Sequence, residues 1–121
     1  MTPNNQLITA AEKGDLPSVK QLVEQGADIH DDGALQWASR QGHFEIVKYL
    51  VQQGANIHVY NDYALRWAAT HGHLEIVKYL VKQGANIHAS DDYALRVAVK
   101  NGHQTVVDYL EMVIKLRAIK L

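Results

Sequence analysis

The sequence has 121 residues but no cysteine, two prolines and a single phenylalanine. Without cysteine the chain forms no disulfide and no thiolate site, which favours an intracellular compartment, and we expect the cytoplasm. The first ten residues lack the basic and apolar segments of a signal peptide, and no apolar run approaches the ~18 residues that span a membrane. A net charge of −1 argues against nucleic acid or a membrane as a partner recruited by bulk charge.

Internal repetition is the main feature that the sequence does have. Residues 33–58, GALQWASRQGHFEIVKYLVQQGANIH, return at residues 63–88 as YALRWAATHGHLEIVKYLVKQGANIH. A weaker copy begins at Tyr93, and another spans residues 7–30. The glycines at positions 14, 42, 72 and 102 are separated by 28, 30 and 30 residues. Self-similarity at this period indicates stacked units, since one unit alone cannot bury its apolar face.

Each copy reads as two helices joined by a turn. In the third copy a short alanine-rich helix follows Asp62, whose carboxylate we expect to cap it, and ends at Gly72. A second helix from about Leu74 to Lys82 has apolar residues at the spacing of one helical face. An extended connection then leads to the next copy. In the first copy, Asp15 is expected to cap the second helix. The pattern predicts an all-α protein.

These segments resemble the ankyrin repeat. GHFEIVKYLVQQGANIH and GHLEIVKYLVKQGANIH are similar to the second helix and loop of that family, and ALRWAA is similar to its first helix. The resemblance implies one domain over residues 1–121, a solenoid of four stacked helix-turn-helix units at about 4–30, 31–60, 61–90 and 91–121. The first and last units are then capping repeats.

The repeats are also shorter than the family's common period of about 33 residues. A period of 30 implies shortened loops in place of the family's β-hairpin fingers. Short repeats with the ALRWA signature are similar to those of large DNA viruses of amoebae. That resemblance implies a protein that acts in the cytoplasm of a host.

The resemblance further implies protein binding without catalysis, through the concave face that the first helices and loops form. The side-chain pairs just before the recurring glycines differ between copies, as expected of positions that suit a ligand, although an unconstrained surface would vary in the same way. The implied protein-binding residues are Glu12, Lys13, Arg40, Gln41, Tyr60, Tyr63, Thr70, His71, Tyr93, Lys100 and Asn101. Packing between adjacent repeats is the competing role for the tyrosines at 63 and 93, the arginines at 66 and 96 and the tryptophans at 37 and 67.

The charges at these positions indicate the chemistry of the partner. Lys13, Arg40 and Lys100 are opposed by Glu12 alone, and His71 is expected to be partly charged below neutral pH. We therefore expect a partner protein with an acidic or mixed patch.

Seven histidines invite a metal hypothesis, which the repeat geometry argues against. His30, His58 and His88 occur once per copy, so neighbours lie a repeat apart, farther than the ~4 Å across which two ligands at ~2.1 Å share zinc. We expect these loop histidines to hydrogen-bond neighbouring backbone, and in the ankyrin family this loop position is also a target of hydroxylases. The sequence has neither a GxSxG turn nor a phosphate-binding glycine loop, so we expect neither an enzyme nor a bound cofactor.

The fourth copy ends differently from the others. After Leu110 the glycine loop is missing, and the last helix is predicted to continue towards Leu121. A second apolar stripe of Met112, Leu116 and Ile119 then faces away from the core. In one interpretation it folds over the preceding repeat, and in the other it forms a dimer interface or a second partner surface. The alternatives to a binding module are thus a self-assembling structural protein and an adaptor subunit for host ubiquitin ligases.

Overall fold

The structure is a computed structural model that describes residues 3–30 and 33–119, with the backbone alone at residues 3 and 4. Within these residues it contains eight α-helices and no strand. The helices are α1 (Pro3–Lys13), α2 (Leu16–Glu24), α3 (Gly33–Gln41), α4 (Phe44–Gln52), α5 (Val59–Thr70), α6 (Leu74–Lys82), α7 (Ala89–Lys100) and α8 (Gln104–Ala118). They alternate as first and second helix of successive repeats, which confirms the predicted all-α solenoid.

The helices form two layers. The first helices, α1, α3, α5 and α7, contact one another extensively, whereas the second helices, α2, α4, α6 and α8, contact their neighbours at few points. Alanine allows this close approach, since Ala38, Ala68 and Ala98 are fully buried at equivalent positions of the first helices. The first helices are therefore more tightly spaced along the stack than the second helices.

The second helices supply the larger side chains of the core. Leu50, Leu80 and Leu110 recur at equivalent positions and are almost completely buried. Each lies on the apolar stripe of its helix, which packs against the first helix of the same repeat. One continuous core therefore runs through the stack, as expected of repeats that cannot fold alone.

A histidine at the start of α4, α6 and α8 joins each of these repeats to the one before. His73 Nε2–H donates to the carbonyl oxygen of Arg40, at 2.8 Å, and its ring lies over Gly42, where an added Cβ would be 2.7 Å from the ring. Gly42 has a φ of +83°, so both the ring and the backbone conformation disfavour a side chain there. The same contact recurs at the other two junctions. His43 Nε2–H donates to the carbonyl oxygen of Glu12 at 2.9 Å, and its ring lies over Gly14. His103 Nε2–H donates to that of Thr70 at 3.0 Å, and its ring lies over Gly72.

The sequence pattern predicts extended connections between repeats. In the structure the connections instead include left-handed turns. Residues 60–62 have φ between 52° and 57°, and residues 90–92 have φ between 54° and 63°. Left-handed helical backbone costs ~1–2 kcal/mol for each residue with a side chain, so such a turn needs support. Arg66 supports the turn at residues 60–62. Its Nε and Nη2 donate hydrogen bonds to two carbonyl oxygens of that turn, at 3.0 and 2.8 Å. Arg96 holds the second turn in the same way.

Asp62 has a different role from the helix cap predicted for it. Its almost completely buried carboxylate accepts hydrogen bonds from His58 Nδ1 (3.1 Å) and from the backbone N–H of Asn86 (2.7 Å). The side chain thereby links two successive loops. Asp15, by contrast, caps α2 as predicted, since it accepts a hydrogen bond from the backbone N–H of Ser18 at 3.2 Å.

The last helix, α8, spans 15 residues and ends at Ala118, with Ile119 in extended backbone. The predicted continuation beyond that point, at residues 120–121, lies outside the described residues. Val113 is buried and helps to close the core, but Met112, Leu116 and Ile119 are 46%, 59% and 58% exposed. Leu116 and Ile119 therefore do not fold over the preceding repeat, whereas Met112 lines a groove with Leu74, Lys78 and Lys82 of α6.

We expect Gly72→Ala to destabilise the protein more than Gly102→Ala. Both glycines have a φ of +74°, so the conformational strain is matched. An added Cβ would lie 2.5 Å from the ring of His103 at position 72, but within 4 Å of no described atom at position 102. Because overpacking costs ~1–3 kcal/mol, the two free energies of unfolding, measured in urea, should differ by that amount.

His103→Ala provides the control because it removes the ring. In that background, Gly72→Ala should cost no more free energy of unfolding than Gly102→Ala does in the wild-type chain. Equal costs of the two glycine substitutions in the wild-type chain would contradict the proposed contact.

Candidate interaction face

The solvent-facing sides of α1, α3, α5 and α7, which we call the first-helix face, carry the residues predicted to bind a protein. Glu12, Lys13, Gln41, His71, Lys100 and Asn101 are exposed, whereas Arg40, Tyr63, Thr70 and Tyr93 are partly buried. Tyr60 lies in the left-handed turn beside this face and is 63% exposed. The use of these residues in binding stays a prediction.

Two tryptophans and an arginine form the centre of the first-helix face. Trp37 and Trp67 occupy the same position in α3 and α5, and their rings meet edge to face with centroids 5.5 Å apart. The Arg40 guanidinium lies 5.0 and 5.2 Å from the two ring centroids, within the range of cation–π contacts. Both indoles pack between repeats, as one interpretation predicted, yet remain partly accessible to solvent.

A second cluster of rings and guanidinium groups continues across α5 and α7. Arg66 lies 4.7 Å from the ring centroid of Tyr63 and 5.4 Å from that of Tyr93. Tyr63 also meets Trp67, with centroids 4.5 Å apart, and Arg96 lies 5.6 Å from the ring of Tyr93. The contact of Arg66 with Tyr93 joins adjacent repeats, and the other contacts of this cluster lie within α5 or within α7. These contacts fix the positions of the groups that the face presents.

Some predicted binding residues use their polar groups within the fold. Thr70 Oγ1–H donates to the carbonyl oxygen of Arg66 at 2.7 Å, and Asn101 Nδ2–H donates to that of Thr70 at 2.9 Å. His71 is exposed, but partial desolvation of its ring and the nearby Arg40 charge hold its pKa below the ordinary value of 6.5. His71 therefore carries less positive charge below neutral pH than the sequence predicted.

Two of the loop histidines bind carboxylates, although the sequence favoured neighbouring backbone for them. His58 Nδ1 lies 3.1 Å from both carboxylate oxygens of Asp62, and His88 Nδ1 makes the equivalent bond to Asp92. In the part of the chain that the structure describes, no three His, Asp or Glu side chains converge as a metal site requires. These residues instead close the loop of each repeat.

Sequence reasoning missed Gln36, which stands in α3 where Arg66 and Arg96 stand in the later repeats. Gln36 is 6% exposed, and among the described residues its Oε1 has no hydrogen-bond partner. A notch with a volume of about 220 Å³ opens beside it, which we call the Gln36 notch. Its walls are Gly33, Gln36, Trp37, Tyr60, Tyr63 and Trp67. The change from YALR to GALQ was visible in the sequence, but the space it leaves was not.

Comparison with protein families found a match to the model described as "Ankyrin repeats (3 copies)", over residues 7–91 and, overlapping, over residues 60–115. The two matches together include part or all of every helix. A search of curated proteins found no match. Within the described residues, no helix combines the length and apolar character needed to cross a bilayer.

Proposed function

Because the chain belongs to the ankyrin-repeat family, whose repeats are protein-interaction modules, we propose that it is a non-catalytic protein that binds a partner protein through the first-helix face. The observation that carries this proposal is the cluster of Trp37, Arg40 and Trp67 at the centre of that face. Tryptophan and arginine are enriched among the residues that contribute most to interface affinity.

The cluster is ordered before any partner arrives. The Arg40 carbonyl oxygen is held by His73, while its guanidinium lies against two indole rings. Trp67 is held in turn by Tyr63. Side chains that are already fixed lose less conformational entropy on binding, so such a surface favours recognition of a protein.

The exposed charges of the face determine which partner it favours. Lys13 and Lys100 lie at the ends of α1 and α7, Arg40 lies between them, and Glu12 is the single acid among the predicted residues. This arrangement fits a partner with an acidic or mixed patch. Association with such a partner is slowed by salt, which screens the attraction.

The proposed setting is the cytoplasm. Repeats of 30 residues resemble those of large DNA viruses of amoebae, and with that origin the partner is a host protein. Recovery of ubiquitin-ligase subunits with the chain would favour the adaptor role over simple occupation of a partner.

Arg40→Glu combined with Lys100→Glu should weaken capture of the partner from a lysate of the source cells at least about tenfold, because like charges then oppose each other. Arg40→Glu also removes cation–π contacts worth about 0.5–1 kcal/mol. We therefore expect the melting temperature to fall by no more than about 6 °C. Quantitative mass spectrometry of the captured protein and a thermal melt provide the two measurements.

Lys20→Glu combined with Lys82→Glu is the matched control, since both lysines are exposed on second helices. Lys20 also lies 5.7 Å from the ring centroid of Tyr49, so this pair too loses a cation–π contact. The control variant should capture the partner as the wild type does. The assignment of the face would be wrong if the Arg40 and Lys100 reversal left capture unchanged. It would also be wrong if that reversal and the Lys20 and Lys82 reversal reduced capture equally.

The exposed stripe on α8 favours a second candidate function, self-assembly. Met112, Leu116 and Ile119 are large apolar side chains in solvent, and Lys115 and Arg117 lie beside them on the same helix. Two copies of α8 that meet about a two-fold axis would remove both stripes from water. The same stripe is also suited to a second protein partner.

We expect the wild-type protein to have the mass of a dimer in light scattering at ~100 μM, well above micromolar dissociation constants. Leu116→Glu with Ile119→Glu should restore the monomer, because burial of the new charges is costly. The control pair Gln21→Glu and Gln52→Glu adds the same charge at exposed positions of α2 and α4, away from α8, and should leave the dimer intact. A monomeric wild-type protein would remove self-assembly and leave the first-helix face unaffected.

A further inference from the structure

The second repeat departs from the third and fourth repeats at two positions, one helical turn apart, of the first-helix face. In α5 and α7 these positions carry tyrosine and arginine, which form the continuous series of Tyr63, Arg66, Tyr93 and Arg96. In α3 they carry Gly33 and Gln36. One ring and one guanidinium are thus missing from the series, and the Gln36 notch occupies that part of the face.

The walls of the notch are mainly aromatic. Trp67 has the ring of Tyr63 beside it at 4.5 Å, whereas Trp37 has no corresponding ring from its own helix, because position 33 is glycine. The Cβ direction of Gly33 is filled by Ile8, at 2.6 Å, so the chain cannot easily place its own side chain there. An aromatic ring from outside would meet the exposed part of Trp37 in the edge-to-face geometry that such pairs favour.

The notch also holds an unused hydrogen-bond acceptor. Gln36 is more than nine-tenths buried, and its Oε1 has no partner among the described residues. An unpaired buried acceptor destabilises the protein, so a ligand that donates to it offsets part of that cost. The terminal torsion of glutamine is broad, so rotation of the amide about that torsion can present the oxygen to a ligand in the notch.

We propose that the Gln36 notch receives a single tyrosine side chain of the partner protein. The tyrosine ring takes the place of the ring missing at position 33, and its hydroxyl donates to Gln36 Oε1. This inference rests on the proposed function and names the residue type that the face anchors.

Other occupants fit the chemistry less well. A lysine or arginine of the partner would approach the Arg40 guanidinium, which already covers both indole rings. A carboxylate has no proton to donate to the amide oxygen at neutral pH. At about 220 Å³ the notch is also below the ~300–1,000 Å³ of small-molecule sites, which favours one side chain.

The notch can be probed without the partner, because both tryptophans of the chain line it. Their two indole N–H signals in a ¹H–¹⁵N spectrum are therefore direct reporters. N-acetyl-tyrosinamide should shift both signals with a dissociation constant in the millimolar range. N-acetyl-phenylalaninamide, which lacks only the hydroxyl, should bind about fivefold more weakly, the factor that one net hydrogen bond supplies.

Gln36→Leu tests the acceptor itself. The substitution replaces an unpaired buried amide with an apolar side chain of similar size, so the protein should remain folded. The affinity ratio of the two probes should then fall to about one. Gln41→Leu is the control, since Gln41 lies on the same helix, is exposed and does not line the notch. It should keep the fivefold ratio.

Three results would overturn the inference: no shift of either indole signal at ~20 mM probe, equal affinity for the two probes, or a ratio that survives Gln36→Leu. If the probes fail while reversal of Arg40 and Lys100 still abolishes partner capture, the first-helix face stands and the tyrosine notch does not. If the probes bind while partner capture is insensitive to those reversals, the proposed function is wrong, but the assignment of the notch as a tyrosine site stands.

Discussion

The contact between a histidine ring and a glycine of the preceding repeat sets the geometry of the whole stack. The last carbonyl groups of a helix have no partner within that helix, and here the next repeat supplies one. His73, for example, donates to the carbonyl oxygen of Arg40 while its ring lies over Gly42. One side chain thus satisfies the helix end, fixes the distance between repeats and restricts the turn to glycine.

The same contact explains how a constant backbone can carry a variable surface. The residues whose carbonyl oxygens are bonded, Glu12, Arg40 and Thr70, are also the ones whose side chains differ between repeats. Their backbone is held by a contact that recurs at all three junctions between repeats, so their side chains can change without loss of register. The second repeat also differs at a buried position. Its Gln36 leaves a buried acceptor unpaired, and proteins tend to accept such a local cost where a ligand is bound.

The helices and the order of the repeats could be predicted from the sequence, because glycine positions and apolar spacing depend on neighbours within one unit. The loops could not. Tyr60 has no intrinsic preference for left-handed backbone, and it adopts that conformation beneath Arg66, which lies six residues further on. The role of Asp62 likewise depends on a hydrogen bond from Asn86, 24 residues away. The local sequence pattern could not show that bond and suggested a helix cap that does not form. The Gln36 notch depends on what α5 leaves uncovered beside α3.

The contact between repeats is tested most directly by the tautomers of its histidines. A carbonyl oxygen only accepts, so the neutral rings of His43, His73 and His103 must carry their proton on Nε2. His58 and His88 face carboxylates through Nδ1 and should carry the proton there when neutral. Imidazole ¹⁵N chemical shifts at pH 8 distinguish the two forms. Protonation at Nε2 in all three contact histidines would support the contact, whereas Nδ1 protonation or a mixture of tautomers in them would contradict it.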